Sequence, residues 1–309
     1  MPISTGIEVL QKAHEGNYAV GAFNFNNMET LQAILEAAEE LSAPVIVETS
    51  EGAIHYAGAD MLFRMVEVLA HRISIPVVIH LDHGKDFNII MAALRAGYTS
   101  IMIDASSHPF EENIRQTKRV VEIAHAMGVS VEAELGTLKG IEDNVSVDER
   151  DATLIHPDQA VTFVEETGID YLAPAVGTSH GAFKYKGESK IDFDRLKEVK
   201  RLTKIPLVLH GASGVPSSLV EKAEKYGAKL AGAKGVSDEV LKEAVACGIN
   251  KVNLDTDLRI ATVGAIREVL AEHPEEIDPR KILGPAKEAM KEVVKHRIQL
   301  LGSAGKANV

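Results

Sequence analysis

Eight short runs rich in Val, Ile and Leu recur along the chain, and most are followed by a stretch with apolar residues three and four apart. The runs are YAVGAFNF, ending near Asn24; PVIVETS, Pro44 to Ser50; PVVIHLDHG, from Pro76; and TSIMIDAS, Thr99 to Ser106. They continue with VSVEAELG, from Val129; DYLAPAVG, from Asp170; PLVLHGASG, from Pro206; and KVNLDTD, Lys251 to Asp257. Between them METLQAILEAAEELS, ADMLFRMVEVLAHR, NIIMAALRAG and NIRQTKRVVEIAHAMG carry the spacing of amphipathic helices. Near-continuous apolar strands alternating with helices predict a parallel sheet covered on its outer face. Eight of them favour an α/β fold of the closed (β/α)8 TIM-barrel type. An open doubly wound sheet is the alternative, but the first strand ends in AFNFNN, with no GxGxxG phosphate turn.

Two connections are long and predict extended loops after strands 5 and 7. One runs from Gly136 to about Thr167 and opens with the polar, aperiodic TLKGIEDNVSVDERDATLIH. The other, Pro216 to Gly248, holds the helical patterns SSLVEKAEKYG and SDEVLKEAVACG. Long polar loops on a barrel act as lids or are plain solvated insertions. No composition break divides the chain, so residues 1–309 are expected to form one catalytic barrel domain.

Composition narrows the class. Lys plus Arg is 33 against 45 Asp plus Glu, a formal charge of -12. That argues against nucleic acid as a partner, which needs a basic footprint. A local pocket on an acidic protein can still be positive, so anionic ligands stay open. The single cysteine, Cys247, excludes an internal disulfide and a cysteine-based metal cluster. The N-terminus has no basic region followed by an apolar one and reads as a short helix leading into a strand. No run of 18 apolar residues occurs, so no membrane span is expected and a cytoplasmic location is the default.

Twelve histidines are the unusual feature of the composition. Barrel sites lie at the C-terminal ends of the strands. Here those ends carry Asn24, Ser50, Asp82, His83, Asp104, Glu134, His180, His210, Asn253 and Asp255. Ser50 and Ser106 have a plain alternative use as helix caps. His83, His180 and His210 each adjoin a glycine, in DHG, SHG and LHGASG. Three imidazoles from separate strand ends can bind Zn²⁺ and leave a coordination position open. His80 lies within its strand and suits core packing or support of a ligand. His55, His71, His108, His125, His273 and His296 lack the pattern and are read as structural or solvated, and His14 and His156 are unassigned. Asp82 can shuttle a proton to a substrate hydroxyl or orient a ligand histidine. Asp104 and Glu134 can support the site or offer another metal position. HGASG and NLDTD lie where barrels bind phosphate, which makes Gly181, Gly211, Ser213, Asp255 and Thr256 candidates. Lys184 and Arg259 are cations for an anionic substrate or surface charges. The sixth strand, YLAPAVG, lacks the lysine of a Schiff-base lyase, and Lys251 is expected toward the far end of its strand.

In order and combination AFNFNN, ETSEGA, HLDHG, MIDASSHPFEENI, VEAELG, AVGTSHGAFK, PLVLHGASGVP, KVNLDTDLR and DPRKILGPA resemble the class II, metal-dependent fructose-bisphosphate aldolases. The resemblance covers nearly the whole chain. It implies Zn²⁺ on His83, His180 and His210, with Asp104 and Glu134 near an alternative or second metal position. A second divalent or a monovalent cation is compatible with this. Asp82 resembles the acid/base at the C4 hydroxyl. Gly181, Gly211, Ala212, Ser213, Asn253, Leu254, Asp255 and Thr256 fall in the segments holding the dihydroxyacetone-phosphate half. Asn24 and Ser50 lie near the aldehyde half, and Arg259 resembles an arginine reaching the distal phosphate, in several relatives across a subunit boundary. Glu142 takes the place of the loop carboxylate that exchanges the proton next to the ketone. The usual run there has two glycines and two glutamates, whereas this chain reads Lys139-Gly140-Ile141-Glu142-Asp143. Asp143 and Glu149 are therefore substitutes for Glu142 if the register slips.

The implied partners are a sugar bisphosphate and its triose phosphates, with a homo-oligomer, dimer or tetramer, as the assembly. The nearest alternative is a tagatose-bisphosphate aldolase. The longer Pro216 to Gly248 connection and LDTDLR look more like the fructose branch. A two-metal phosphate-ester hydrolase and a non-enzymatic metal-binding or scaffold protein are the other classes. The scaffold leaves Asp82 and the phosphate-like loops without a task.

Overall fold

A computed structural model of the chain describes residues 3–136, 139–142, 145–147, 154–180, 191–230 and 233–308, with the backbone alone for 139–142, 145–147 and 179–180. The strands are β1 (Val20–Asn24), β2 (Val45–Thr49), β3 (Val77–Gly84), β4 (Ser100–Ile103), β5 (Ser130–Leu135), β6 (Lys139–Glu142), β7 (Val145–Val147), β8 (Tyr171–Pro174), β9 (Ser179–His180), β10 (Leu207–Leu209) and β11 (Ile249–Leu254). The helices are α1 (Gly6–Gly16), α2 (Met28–Glu40), α3 (Glu51–Ala57), α4 (Ala59–Ala70), α5 (Phe87–Ala96), α6 (Phe110–Ala126), α7 (Pro157–Thr167), α8 (Phe193–Thr203), α9 (Ser217–Lys225), α10 (Asp238–Ala246), α11 (Thr256–Glu272) and α12 (Pro279–Leu301).

Eight of these strands close into a parallel barrel in the order β1-β11-β10-β8-β5-β4-β3-β2. They are the eight apolar runs of the sequence, so the closed alternative is the correct one. The remaining three strands form a small sheet, β7-β6-β9, built from the polar connection after β5 and the segment after β8. The connection after β10 contains α9 and α10, as its two helical patterns predict. Several helices start at side-chain caps. Thr5 and Glu8 form a reciprocal capping box at α1, and Asn27, Ser50, Asp86 and Ser237 accept a first-turn N–H at their helices.

Strand residues alternate between two cores, as a two-residue period requires. Outward Phe23, Val47, Ile79, Leu81, Ile101, Val131, Leu172, Val252 and Leu254 join the helices in one large apolar cluster. Inward Val20, Ala22, Ile46, Val78, Tyr171, Ala173 and Val208 form a second with Val9, Leu10 and Ala13 of α1. α1 thereby plugs the N-terminal end of the barrel, and the opposite mouth is where the inward side chains turn polar.

Candidate active site

The mouth is shaped by an irregularity in β3. Leu81 pairs with Ile101 and Gly84 with Ile103, so β3 carries one residue more than β4 across this step. His83 sits in the bulge at φ 46°, in the left-handed region that side-chain-bearing residues seldom adopt. In a regular strand Asp82 and His83 would face opposite sides of the sheet. The bulge brings His83 round to the mouth, and its ring lies 4.5 Å from that of His210, centroid to centroid. Gly84 must be glycine, because a Cβ there would stand 2.6 Å from the Met102 carbonyl oxygen and 2.8 Å from Ile90.

Asp82 is buried, and amides from two other strands hold its carboxylate. Asn24 Nδ2 donates to one oxygen at 3.0 Å and Asn253 Nδ2 to the other at 2.9 Å. His210, one residue past β10, stands between two carboxylates: Nδ1 is 3.0 Å from Glu134 Oε2 and Nε2 is 2.7 Å from Glu132 Oε1. Burial and the nearby His83 push its pKa down, but the two glutamates prevail and raise it to about 9. His83 Nδ1 lies 2.9 Å from Asp104 Oδ2, and Lys85 Nζ lies 3.4 Å from the same oxygen. Burial pushes the Asp104 carboxyl up; His83, Lys85 and the Ser106 hydroxyl outweigh it and hold it well below the usual carboxylate range.

Ligand atoms of Asp82, His83 and His210 all lie within 4.8 Å of one another, as do those of His83, Asp104 and Glu134. Imidazole and carboxylate donors so close together are what a divalent transition metal prefers, so the residues present fit such an ion. His180 begins no new element of the barrel: it lies on β9, and its side chain is outside the described residues, as are Gly181 and Lys184.

A cleft of ≈ 550 Å³ opens beside the cluster, lined by Asn24, Ser50, Tyr56, Asp255 and Arg259 among others. Asn24 reaches both the cleft and Asp82. Ser50 also caps α3, so the plain reading of that serine holds as well. The Arg259 guanidinium is exposed and doubly paired to Asp255, at 2.8 Å through Nε and 2.7 Å through Nη2. Ser213 Oγ accepts the backbone N–H groups of Asp255 and Thr256, each at 3.2 Å, which joins the loop after β10 to the start of α11. Ala212 and Leu254 are 0% exposed. Asp257 accepts from Gly214 N and Val215 N, and buried Arg297 of α12 braces it with Nε at 3.0 Å.

The profile of the family described as fructose-bisphosphate aldolase class-II matches residues 4–306. The chain belongs to that family. It is 56% identical over 303 residues to the fructose-bisphosphate aldolase of Thermus caldophilus, covering 98% of this chain and 99% of that one. Against the fructose-bisphosphate aldolase of Giardia intestinalis it is 48% identical over 310 residues, 99% of this chain and 95% of the relative. Among solved structures, the YdjI aldolase of Escherichia coli K12 superposes with a TM-score of 0.82 at 34% identity, covering 99% of this chain and 100% of the other. The protein is therefore an aldolase-type lyase of a metal-dependent class, with a donor cluster that suits a metal. That membership removes the hydrolase and scaffold alternatives.

Two polar residues of this enzyme, Glu48 and Glu132, escaped the reading of strand ends. With His80, expected within its strand as packing or support, and Lys251, they are each 0% exposed in the barrel interior, one layer below the mouth. Lys251 was expected far from the site; instead its Nζ lies 2.8 Å from Glu132 Oε2. A four-carbon stem lets the ammonium climb past its own backbone position. Burial, then the Asp82 charge, push the Glu48 carboxyl well above the usual range. Burial and then Lys251 push His80 well below the imidazole range, and its Nδ1 lies 2.6 Å from Ser100 Oγ. The available signal was the two-residue period: Glu48 follows Ile46, His80 follows Val78, and Glu132 and Lys251 precede Glu134 and Asn253 by two.

Proposed function

We propose that this enzyme reversibly cleaves D-fructose 1,6-bisphosphate to dihydroxyacetone phosphate and D-glyceraldehyde 3-phosphate, using Zn²⁺ held by His83, His180 and His210. The observation that carries this is the Asp82 carboxylate, fixed by the amides of Asn24 and Asn253 beside two imidazoles at metal-ligand separation. Zn²⁺ bound there supplies Lewis-acid polarisation of the ketone and stabilises the charge left on the ketose fragment. Asp82 accepts the C4 hydroxyl proton as the C3–C4 bond breaks and the aldehyde leaves. Glu142, carried on β6, returns a proton to C3. Asp104 and Glu134 offer carboxylates to a shifted or second cation. Gly181, Gly211, Ser213, Asp255 and Thr256 hold the ketose phosphate, and Arg259 the distal one.

The whole chain, residues 1–309, acts as one catalytic domain in this reading. It works in the cytoplasm as a homo-oligomer; no helix among the described residues is long and apolar enough to cross a membrane. Cleavage is to be assayed on zinc-loaded protein before and after chelation, following triose phosphate release. Loss on chelation and recovery with Zn²⁺ is expected, and full activity in rigorously metal-free protein would overturn the assignment. Initial rates on fructose and tagatose 1,6-bisphosphate at equal metal content test the substrate. A faster tagatose reaction would replace it.

A further inference from the structure

Lys251 and Glu132 have no part in the proton transfers, yet they form an ion pair inside the barrel in which both side chains are 0% exposed. They come from β11 and β5, which are not neighbours in the barrel, so they meet across its lumen. Lys251 Nζ is held at three points: Glu132 Oε2 at 2.8 Å, Glu48 Oε2 at 3.4 Å and His80 Nε2 at 3.4 Å. An ammonium only donates, so His80 Nε2 is the acceptor and Nδ1 carries the ring proton toward Ser100. Ser100 is in turn hydrogen-bonded to Tyr171. The lysine is thus locked from behind.

That lock has a consequence on the other side of Glu132. With Oε2 committed to Lys251, Oε1 is the oxygen presented to His210 Nε2, at 2.7 Å. A carboxylate only accepts, so His210 Nε2 must donate. The other ring nitrogen, Nδ1, faces Glu134 Oε2 at 3.0 Å and likewise donates to it in the metal-free site; with Nε2 committed to Glu132, Nδ1 is the nitrogen whose proton a metal ion would replace. A metal-binding histidine whose second nitrogen donates to a carboxylate is fixed in tautomer and orientation and made more basic.

We propose that Lys251 is a positioning residue for the metal centre: through Glu132 it fixes His210 as the Nε2–H tautomer with Nδ1 directed at the metal. This rests on His210 being a ligand, as proposed above. Nothing in the arrangement calls on the lysine as a nucleophile. Its ammonium is enclosed by Glu132, Glu48 and His80 and serves as a fixed charge beneath the site.

The test measures Zn²⁺ affinity by competition with a chromophoric chelator. It compares wild type, Lys251→Met, and the double variant Lys251→Met with Glu132→Gln, which removes both charges of that pair together. Val66→Ala, a cavity in the outer core on α4, serves as the control for general destabilisation. Affinity is expected to fall about 10- to 100-fold in the Lys251 variants and to stay unchanged in the control. Equal affinity in wild type and the double variant overturns the proposal. A wild type that binds no stoichiometric Zn²⁺ overturns the metal assignment instead. ¹⁵N-histidine NMR of the zinc-loaded wild type needs no variant to fold: a proton on His210 Nε2 and metal on Nδ1 is expected, and the reverse arrangement refutes the relay.

Discussion

At the N-terminal end of the barrel the inward side chains of β1, β2, β3 and β10 are Val20, Ile46, Val78 and Val208, sealed by α1. Two residues further along three of those strands they are Glu48, His80 and His210, and two further on β3 comes Asp82. The same strands in the same register thus build an apolar floor and a polar mouth. The floor needs only volume and shape, so many apolar residues would serve it. The mouth needs donors, acceptors and charges each matched to a partner, because an unmatched buried polar group costs free energy. One further polar cluster lies at the floor's edge. There Lys200 Nζ contacts His14 Nδ1 at 2.6 Å, the Ile205 carbonyl at 3.0 Å and Asn250 Oδ1 at 2.6 Å. It ties α8 to α1 and β11 and faces no cleft residue.

This contrast is broken most severely at Asp82. Asp82→Asn should keep the fold and lower kcat by about 10²–10⁴-fold, the usual range for a lost acid/base. Steady-state kinetics beside a circular dichroism melt checks this, and an unchanged kcat moves the proton transfer elsewhere. Next is Arg297, which braces Asp257 beneath the loop after β10. Arg297→Met leaves Asp257 buried without its cation, and a loss of about 3–5 kcal/mol is expected in denaturant unfolding. A rise in KM for the bisphosphate should accompany it, because the loop carrying Gly211 and Ser213 loses its anchor. Ile46→Ala in the floor should cost about 2–5 kcal/mol while leaving Zn²⁺ affinity at the wild-type value. An equal loss of affinity would show that floor and mouth are coupled rather than separable.

The smallest effect concerns pH. Burial lowers the Lys200 pKa from 10.5 to about 8. Between those values the unfolded chain binds the proton that the folded one has released, so this group makes stability rise with pH from about 8 toward 10.5. Below about 8 both states are protonated and the contribution is flat. Unfolding midpoints of wild type minus Lys200→Met, measured from pH 7 to 10, should climb across that window. A pH-independent difference would show that the lysine keeps its ordinary affinity for protons.

Much of the candidate site was legible because barrel strands end at the mouth. Asn24, Asp82, Asp104, Glu134, His210 and Asn253 follow apolar runs, and the structure brings them together. His180 and Glu142 fall where no side chain is described. The interior layer was harder to read. Glu48, Glu132 and Lys251 sit inside runs that look uniformly strand-like, and a buried charge is visible in a sequence only as an exception to be solvated. Their partners lie on strands across the lumen, up to 171 residues away for Lys251 and His80. Local patterning carries no information about which charge meets which.

The order of apolar runs and amphipathic stretches determined eight parallel strands, their covering helices and the end of the barrel that carries chemistry. It could do so because period and length are local properties of the chain. Tertiary structure alone decided that a bulge turns His83 to stand beside Asp82, and that Lys251 reaches Glu132 rather than the N-terminal end. It likewise decided that Ser213 joins the β10 loop to α11. Each of these depends on closing the sheet, which sets strand stagger and brings distant inward positions to one level of the lumen.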